Sequence, residues 1–240
     1  MPDVLVLAVR EIVHATPRSR ILRLSLGDRR FTYRAGQAVM IGRHGQTLRK
    51  PYSLAASPEQ ADRDKTLELL VQVGSTGSAG SHLDGAEAGT PIDVEGPLGS
   101  FYFPPSFSES NLLFIAGGTG IAPLRAMLWH VLMTTPEVRI GVLYSARTPD
   151  EFAYIEELQH LAGGDRIKLQ RTVTRSGADD WAEGRGRLGL DQLGAMIPSP
   201  ETLCFLCGPP ALLRHAEPLL RQLGIAERRI RMERWEKSGN

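Results

Sequence analysis

The sequence predicts two architectures in series: an antiparallel β-barrel over residues 1–107, then a parallel α/β layer structure over residues 108–240. Three observations carry this. Short segments rich in alternating apolar or β-branched residues fill the first hundred positions, punctuated by Gly, Pro and Ser clusters. Pro104-Pro105-Ser106 then breaks that rhythm. From Asn111 onward, short apolar runs alternate with stretches of helical periodicity, the pattern of a parallel sheet covered by helices on both faces.

In the first half, Val4–Ile12, Ile21–Leu26, Ala38–Ile41 and Leu67–Val73 read as strands, with turn signals at Ala35-Gly36, Gly74–Gly80 and Gly96-Pro97-Leu98-Gly99. That spacing suits a small antiparallel barrel. In the second half, strands are expected at 112–115, 138–144, 167–173, 202–206 and near 229–234. Helices are expected over about 121–133, 150–162, 189–196 and 209–223.

The bulk properties bound the function. A chain of 240 residues, 42% hydrophobic and 23% charged, has room for one large or two small globular domains. A net charge of +1 provides no global field to attract nucleic acid. The start, Met1-Pro2-Asp3-Val4-Leu5-Val6, lacks the basic and apolar regions of a signal peptide, and no apolar run is long enough for a bilayer. The chain is therefore read as cytoplasmic, with no membrane partner. Its two cysteines, Cys204 and Cys207, lie in an apolar stretch read as a buried strand. Strand residues three apart face opposite ways, which disfavours a disulfide or a shared metal. Two cysteines also fall short of an all-cysteine iron–sulfur cluster, and no metal site is expected.

The segment Ile115-Ala116-Gly117-Gly118-Thr119-Gly120-Ile121-Ala122-Pro123 carries the most chemistry. An apolar strand enters a Gly-Gly-Thr-Gly turn, and an apolar helical pattern leaves it. Glycine lets the backbone approach a diphosphate, and a helix start offers unpaired N–H groups to negative charge. Pro123 suits a first helical turn, where its missing N–H costs nothing.

Three ordered motifs make the reading specific. Lys50-Pro51-Tyr52-Ser53 resembles the Arg-x-Tyr-Ser flavin signature of the ferredoxin–NADP reductase family. Gly117–Pro123 resembles that family's pyridine-nucleotide turn, and Cys207-Gly208-Pro209-Pro210 is similar to its Cys-Gly-Pro motif. The order and spacing match over almost the whole chain. The resemblance implies a six-stranded FAD-binding β-barrel followed by an NAD(P)-binding domain, with FAD and NADP (or NAD) as cofactors. It implies hydride transfer from NADPH to the flavin, then release of single electrons to ferredoxin or flavodoxin. The alternative is a reductase subunit serving an oxygenase or another redox complex.

The resemblance also assigns roles. Tyr52 would lie against the flavin ring, with Ser53 near N5, the hydride acceptor. Lys50 stands where the family has arginine; it can neutralise diphosphate but lacks the bidentate fork. Arg49 is adjacent, although neighbouring strand residues face opposite ways. The backbone of Leu69, Leu70, Val71 and Gln72 would meet the flavin, with the Gln72 side chain turned to solvent. Gly80 stands at a usual serine or threonine position, and Ser81 beside it can donate to phosphate. Thr119 would orient flavin or nicotinamide, Cys207 would pack near the nicotinamide's reactive carbon, and Gly208 and Pro209 would shape that edge. Arg147, Arg175 and either Arg185 or Arg187 are expected around a 2′-phosphate. Trp235 either covers the flavin face or docks as a structural tail residue. Residues 1–50 carry net +7 and residues 51–107 net −6, read either as solvated faces or as a basic dock for an acidic redox protein.

Overall fold

A computed structural model describes residues 4–73, 81–83, 85–175 and 181–233, excepting the Ser81 side chain. The chain divides into two compact units, the first formed by residues 1–105 and 125–136 and the second by residues 106–124 and 137–240.

Unit 1 is built on a six-stranded antiparallel sheet: β1 (Val4–Thr16), β2 (Ser19–Ser25), β3 (Ala38–Arg43), β4 (Lys50–Ser53), β5 (Thr66–Gln72) and β6 (Pro91–Leu98), in the order β4-β3-β6-β1-β2-β5. Alternation places Leu7 and Val9 in the core while Val4 and Val6 face outward. The two end strands meet at a bridge between Leu54 and Leu69, so the sheet curls closed. The core holds Leu24, Val39, Ile41, Leu67 and Ile92.

A helix that the strand pattern did not announce, α1 (Pro58–Asp64), precedes β5. Its signal was present in Ser57-Pro58-Glu59-Gln60. The Ser57 hydroxyl accepts from the Gln60 N–H at 3.2 Å, and the Gln60 side chain accepts from the Ser57 N–H at 3.0 Å. That is a reciprocal cap with proline in the first turn.

Unit 2 contains a six-stranded parallel sheet: β7 (Asn111–Gly117), β8 (Arg139–Ala146), β9 (Ile167–Val173), β10 (Gly184–Arg185), β11 (Leu203–Cys207) and β12 (Ile230–Glu233), in the order β10-β9-β8-β7-β11-β12. Between them run α2 (Ile121–Thr134), α3 (Ile155–Leu161), α4 (Leu190–Gly194) and α5 (Pro210–Gln222). Residues 125–134 of α2 belong to unit 1. Strands β7, β8 and β11 are buried along almost their whole length, which is why they read as continuous apolar runs.

Two differences from the sequence pattern have tertiary causes. Strand β10 is two residues long, too short to show a period. Helix α3 begins at Ile155 rather than near 150. Phe152 is extended, and Tyr154 adopts a left-handed backbone at φ 59°. Burying the Phe152 ring against Tyr144, with centroids 4.9 Å apart, overrides local helix preference.

Candidate active site

In unit 1 the short strand β4 carries Lys50, Pro51, Tyr52 and Ser53, paired with β3 so that Val39 faces Tyr52 and Ala38 faces Ser53. Lys50 and Tyr52 share one side of the strand by its two-residue period. Arg49 is committed elsewhere: its guanidinium bonds to Asp93 at 2.9 Å and Glu95 at 3.2 Å. Lys50 is thus left as the basic residue on the tyrosine's side. Burial works to raise the Asp93 carboxyl, but hydrogen bonds from His44 and Arg49 outweigh it and hold that group below its ordinary value.

Tyr52 is buried and stacks on His82, with ring centroids 5.7 Å apart and planes 21° from parallel. Burial pushes its phenol above the usual range. Ser53 is buried beside it. The backbone that follows is held by charge. The Ala55 N–H donates to the Glu68 carbonyl at 2.8 Å, and the Ala55 carbonyl accepts from the Arg125 guanidinium at 2.7 Å. Arg125 also pairs with Glu68 at 2.9 Å, both side chains being buried. The other Glu68 oxygen takes Arg23 at 2.6 Å, and Arg23 reaches Glu11 at 2.6 Å. Burial opposes the charge on Arg23, but its bonds to Glu11 and Glu68 raise its pKa overall.

This lattice fixes the segments on both sides of the Leu54–Leu69 bridge. Beyond it, Leu69, Leu70 and Val71 are buried and Gln72 is exposed. Their strand pairs with β2 along one edge, and among the described residues its pairing to the other end strand is that single bridge. Gly80 and Trp235 lie outside the described residues. Of Ser81 the backbone is described, opening a 3₁₀ turn at Ser81–Leu83.

In unit 2, β7 ends at Gly117, and Gly118, Thr119 and Gly120 form a 3₁₀ turn that leads into α2. Gly120 and Gly208 are required by close approach. A Cβ on Gly120 would collide with the Cys207 carbonyl, and one on Gly208 would lie 2.9 Å from the Gly117 Cα. Pro209 packs on the same glycine step. The ends of β7 and β11 therefore meet backbone to backbone. Gly118 differs: its φ is +54°, and a Cβ there would meet nothing within 4 Å. Glycine is needed there for the backbone conformation and not for close approach.

Arg147 and Arg175 follow the C-terminal ends of β8 and β9, and Arg185 ends β10. The Arg175 N–H donates to the Arg147 carbonyl at 2.9 Å, and Gly186 bonds back to Val173 at 2.8 Å. With Arg187, all are exposed, and β8 ends in Ala146 rather than a carboxylate. Arg171 is not part of this set. It pairs with Glu183 and lies 4.9 Å over the Trp181 ring.

Both cysteines are buried and neither forms a disulfide. Burial pushes the Cys204 thiol up to about 12, consistent with its place in the apolar cluster. The Cys207 thiol donates to the Glu233 carboxylate at 3.0 Å. Glu233 was missed from sequence, although it stands two residues before Trp235 in the tail motif. Among the described residues no group of three or more His, Cys, Asp or Glu side chains is placed to hold a metal ion. No helix among them is long and apolar enough to cross a membrane.

Residues 5–103 match the oxidoreductase FAD-binding domain family and residues 114–217 the oxidoreductase NAD-binding domain family. Ferredoxin–NADP reductase B of Sorangium cellulosum is 30% identical over 216 residues, 86% of each chain. The chain belongs to the ferredoxin–NADP reductase family. Solved structures agree in fold. The ferredoxin NADP+ reductase of Neisseria gonorrhoeae, with bound FAD and NADP, superposes with a TM-score of 0.81 at 19% identity, covering 97% of this chain and 99% of that one. The Amycolatopsis cytochrome P450 reductase GcoB gives 0.83 at 27% identity, over 97% and 70%.

As a ferredoxin–NADP reductase family member, the protein is an NAD(P)H-dependent flavoprotein oxidoreductase using FAD and NAD(P). The residues present fit both groups. Unit 1 offers a buried aromatic ring beside a lysine and a strand edge with one bridge; unit 2 offers a glycine turn at a helix start, with open space where the Gly118 Cβ would be.

Proposed function

We propose that the protein passes hydride from NADPH to FAD and then single electrons to an external acceptor such as ferredoxin or flavodoxin. Residues 1–107 hold the FAD and residues 108–240 the NADPH. Bound flavin supplies the step from two-electron to one-electron chemistry. The chain supplies binding and orientation. Lys50, with the Gly80–Ser81 backbone, neutralises the flavin diphosphate. Tyr52 supports the ring, the Ser53 hydroxyl bonds at N5, and the backbone of Leu69, Leu70, Val71 and Gln72 meets the ring edge. Gly117, Gly118 and Gly120 cradle the NADPH diphosphate, and Thr119 orients the nicotinamide. Cys207, held by Glu233 and flanked by Gly208 and Pro209, packs near the reactive carbon, and Trp235 covers the flavin.

The preference for NADPH rests on one observation. Exposed arginines, Arg147, Arg175, Arg185 and Arg187, follow three neighbouring strand ends where no carboxylate terminates β8. Cations there suit a 2′-phosphate, whereas an acidic residue would bind a free 2′-hydroxyl. The acceptor is argued from the Sorangium relative, which matches over most of both chains. A second reading, the reductase component of an oxygenase, is favoured by the likeness to the cytochrome P450 reductase. Cytoplasmic residence follows from soluble carriers as acceptors.

The test mixes oxygen-free protein with NADPH, and separately with NADH, while following flavin absorbance. Fast bleaching with NADPH alone is expected. Bleaching with NADH alone would discard the arginines as phosphate ligands. Reoxidation by ferredoxin or flavodoxin, but not by an oxygenase component, would separate the two acceptor readings.

A further inference from the structure

We propose that Tyr144 is a positioning residue for the dinucleotide, its hydroxyl fixing the Gly118–Thr119 peptide so that the Thr119 N–H faces the diphosphate. This rests on the reading of residues 117–120 as the diphosphate turn. Tyr144 lies on β8, completely buried, directly after the run Ile140–Leu143, which carries no polar side chain. Its hydroxyl makes two bonds. It accepts from the Ala153 N–H at 3.2 Å and donates to the Gly118 carbonyl at 3.0 Å.

The direction of both bonds is forced. A backbone N–H can only donate and a carbonyl can only accept, so the single phenolic proton must point at Gly118. Burial pushes the phenol well above its usual range, so that proton is retained at working pH. The Gly118 carbonyl also accepts from the Ile121 N–H, which pins it inward from a second side. A trans peptide is planar, with C=O and the following N–H antiparallel. Pinning the Gly118 carbonyl inward therefore aims the Thr119 N–H outward. The positive φ of Gly118, with open space at its missing Cβ, permits that orientation.

The chain pays locally for the arrangement. Phe152 and Ala153 leave the helical path and Tyr154 turns left-handed, which brings the Ala153 N–H to the hydroxyl. Phe152 meets the Tyr144 ring edge-on and holds it from the side.

The experiment measures Kd for NADP+ and for NAD+ by calorimetry on the FAD-loaded enzyme, as wild type, Tyr144→Phe and Ile225→Val. Tyr144→Phe keeps the ring and removes the hydroxyl. It should raise both Kd values by a common factor of about ten, since both nucleotides carry the diphosphate. FAD content and the NADP+ to NAD+ preference should stay at wild-type values. Ile225→Val trims the buried core of the same unit away from this arrangement, and should lower the melting temperature while both Kd values stay within about twofold. Wild-type affinities in Tyr144→Phe would overturn the proposal and leave the diphosphate reading standing. So would a loss confined to one nucleotide, or an equal loss in Ile225→Val. A wild-type enzyme that binds neither nucleotide would overturn both. If Tyr144→Phe does not fold, amide exchange on the wild type decides. NADP+ should slow exchange at Ala153, and unchanged exchange there would overturn the proposal.

Discussion

Replacing Glu68 with glutamine removes one negative charge from the lattice behind the Tyr52-Ser53 segment and keeps the side chain's shape. Two cations then lose this carboxylate's charge, unequally. Arg23 keeps Glu11 and is about one-third exposed, so its loss is worth about 1 kcal/mol at most. Arg125 is buried at 7% exposure; it would keep its bond to the Ala55 carbonyl but lose the carboxylate's charge. At 2.9 Å the direct attraction to Glu68 is about 6 kcal/mol in an effective dielectric near 20. Desolvation opposes it, and stranding one partner of such a buried pair costs about 3–5 kcal/mol. For a chain of this size that lowers the melting temperature by about 10 °C. The discriminating variant is the pair Glu68→Gln with Arg125→Met, which buries no charge. It should be more stable than Glu68→Gln alone, although the Ala55 carbonyl loses a donor worth about 1 kcal/mol. Melting curves and urea midpoints of the FAD-loaded proteins complete a double-mutant cycle. A Glu68→Gln loss below about 1 kcal/mol, or a double variant as unstable as the sum of the singles, would refute the claim that the buried Arg125 charge, deprived of this carboxylate, sets the cost.

Three further outcomes are expected. The Asp93 carboxyl is held below the ordinary 3.8, so its pairing contributes stability that is complete above that value and lost as pH falls through the folded-state value. The acid limb of the stability profile should therefore flatten in Asp93→Asn, and an unchanged limb would remove Asp93 from the acid response. Gly120→Ala forces a methyl onto the Cys207 carbonyl and should cost about 1–3 kcal/mol with weaker NADP+ binding, read by melting and calorimetry. Ser53→Ala should slow flavin reduction in stopped flow while FAD stays bound; wild-type kinetics would remove the hydroxyl from the mechanism.

What could be read in advance was what local chemistry writes into adjacent residues. The glycine turn at 117–120 was legible because close backbone approach demands glycine at fixed positions, and the strand–helix alternation because burial sets its period. The Ser57–Gln60 cap was equally local and was passed over only because the strand pattern around it dominated. Glu68, Arg125 and Tyr144 belong to another kind of information. Glu68 sits in an apolar strand, and its partner is 57 residues away. Nothing between them signals the pair, and a buried glutamate reads as an interruption until the cations that accept it are found. Tyr144 lies 26 residues from the carbonyl it holds. Its segment was read for Arg147, whose cation has an obvious ligand, while the tyrosine passed as one more bulky strand residue. The hydroxyl's meaning depends on the helix start being displaced to Ile155, and the ring of Phe152 causes that displacement. A residue whose function is to aim another residue's backbone leaves no spacing rule in sequence, because its constraint is met in space by whichever strand end arrives beside the turn.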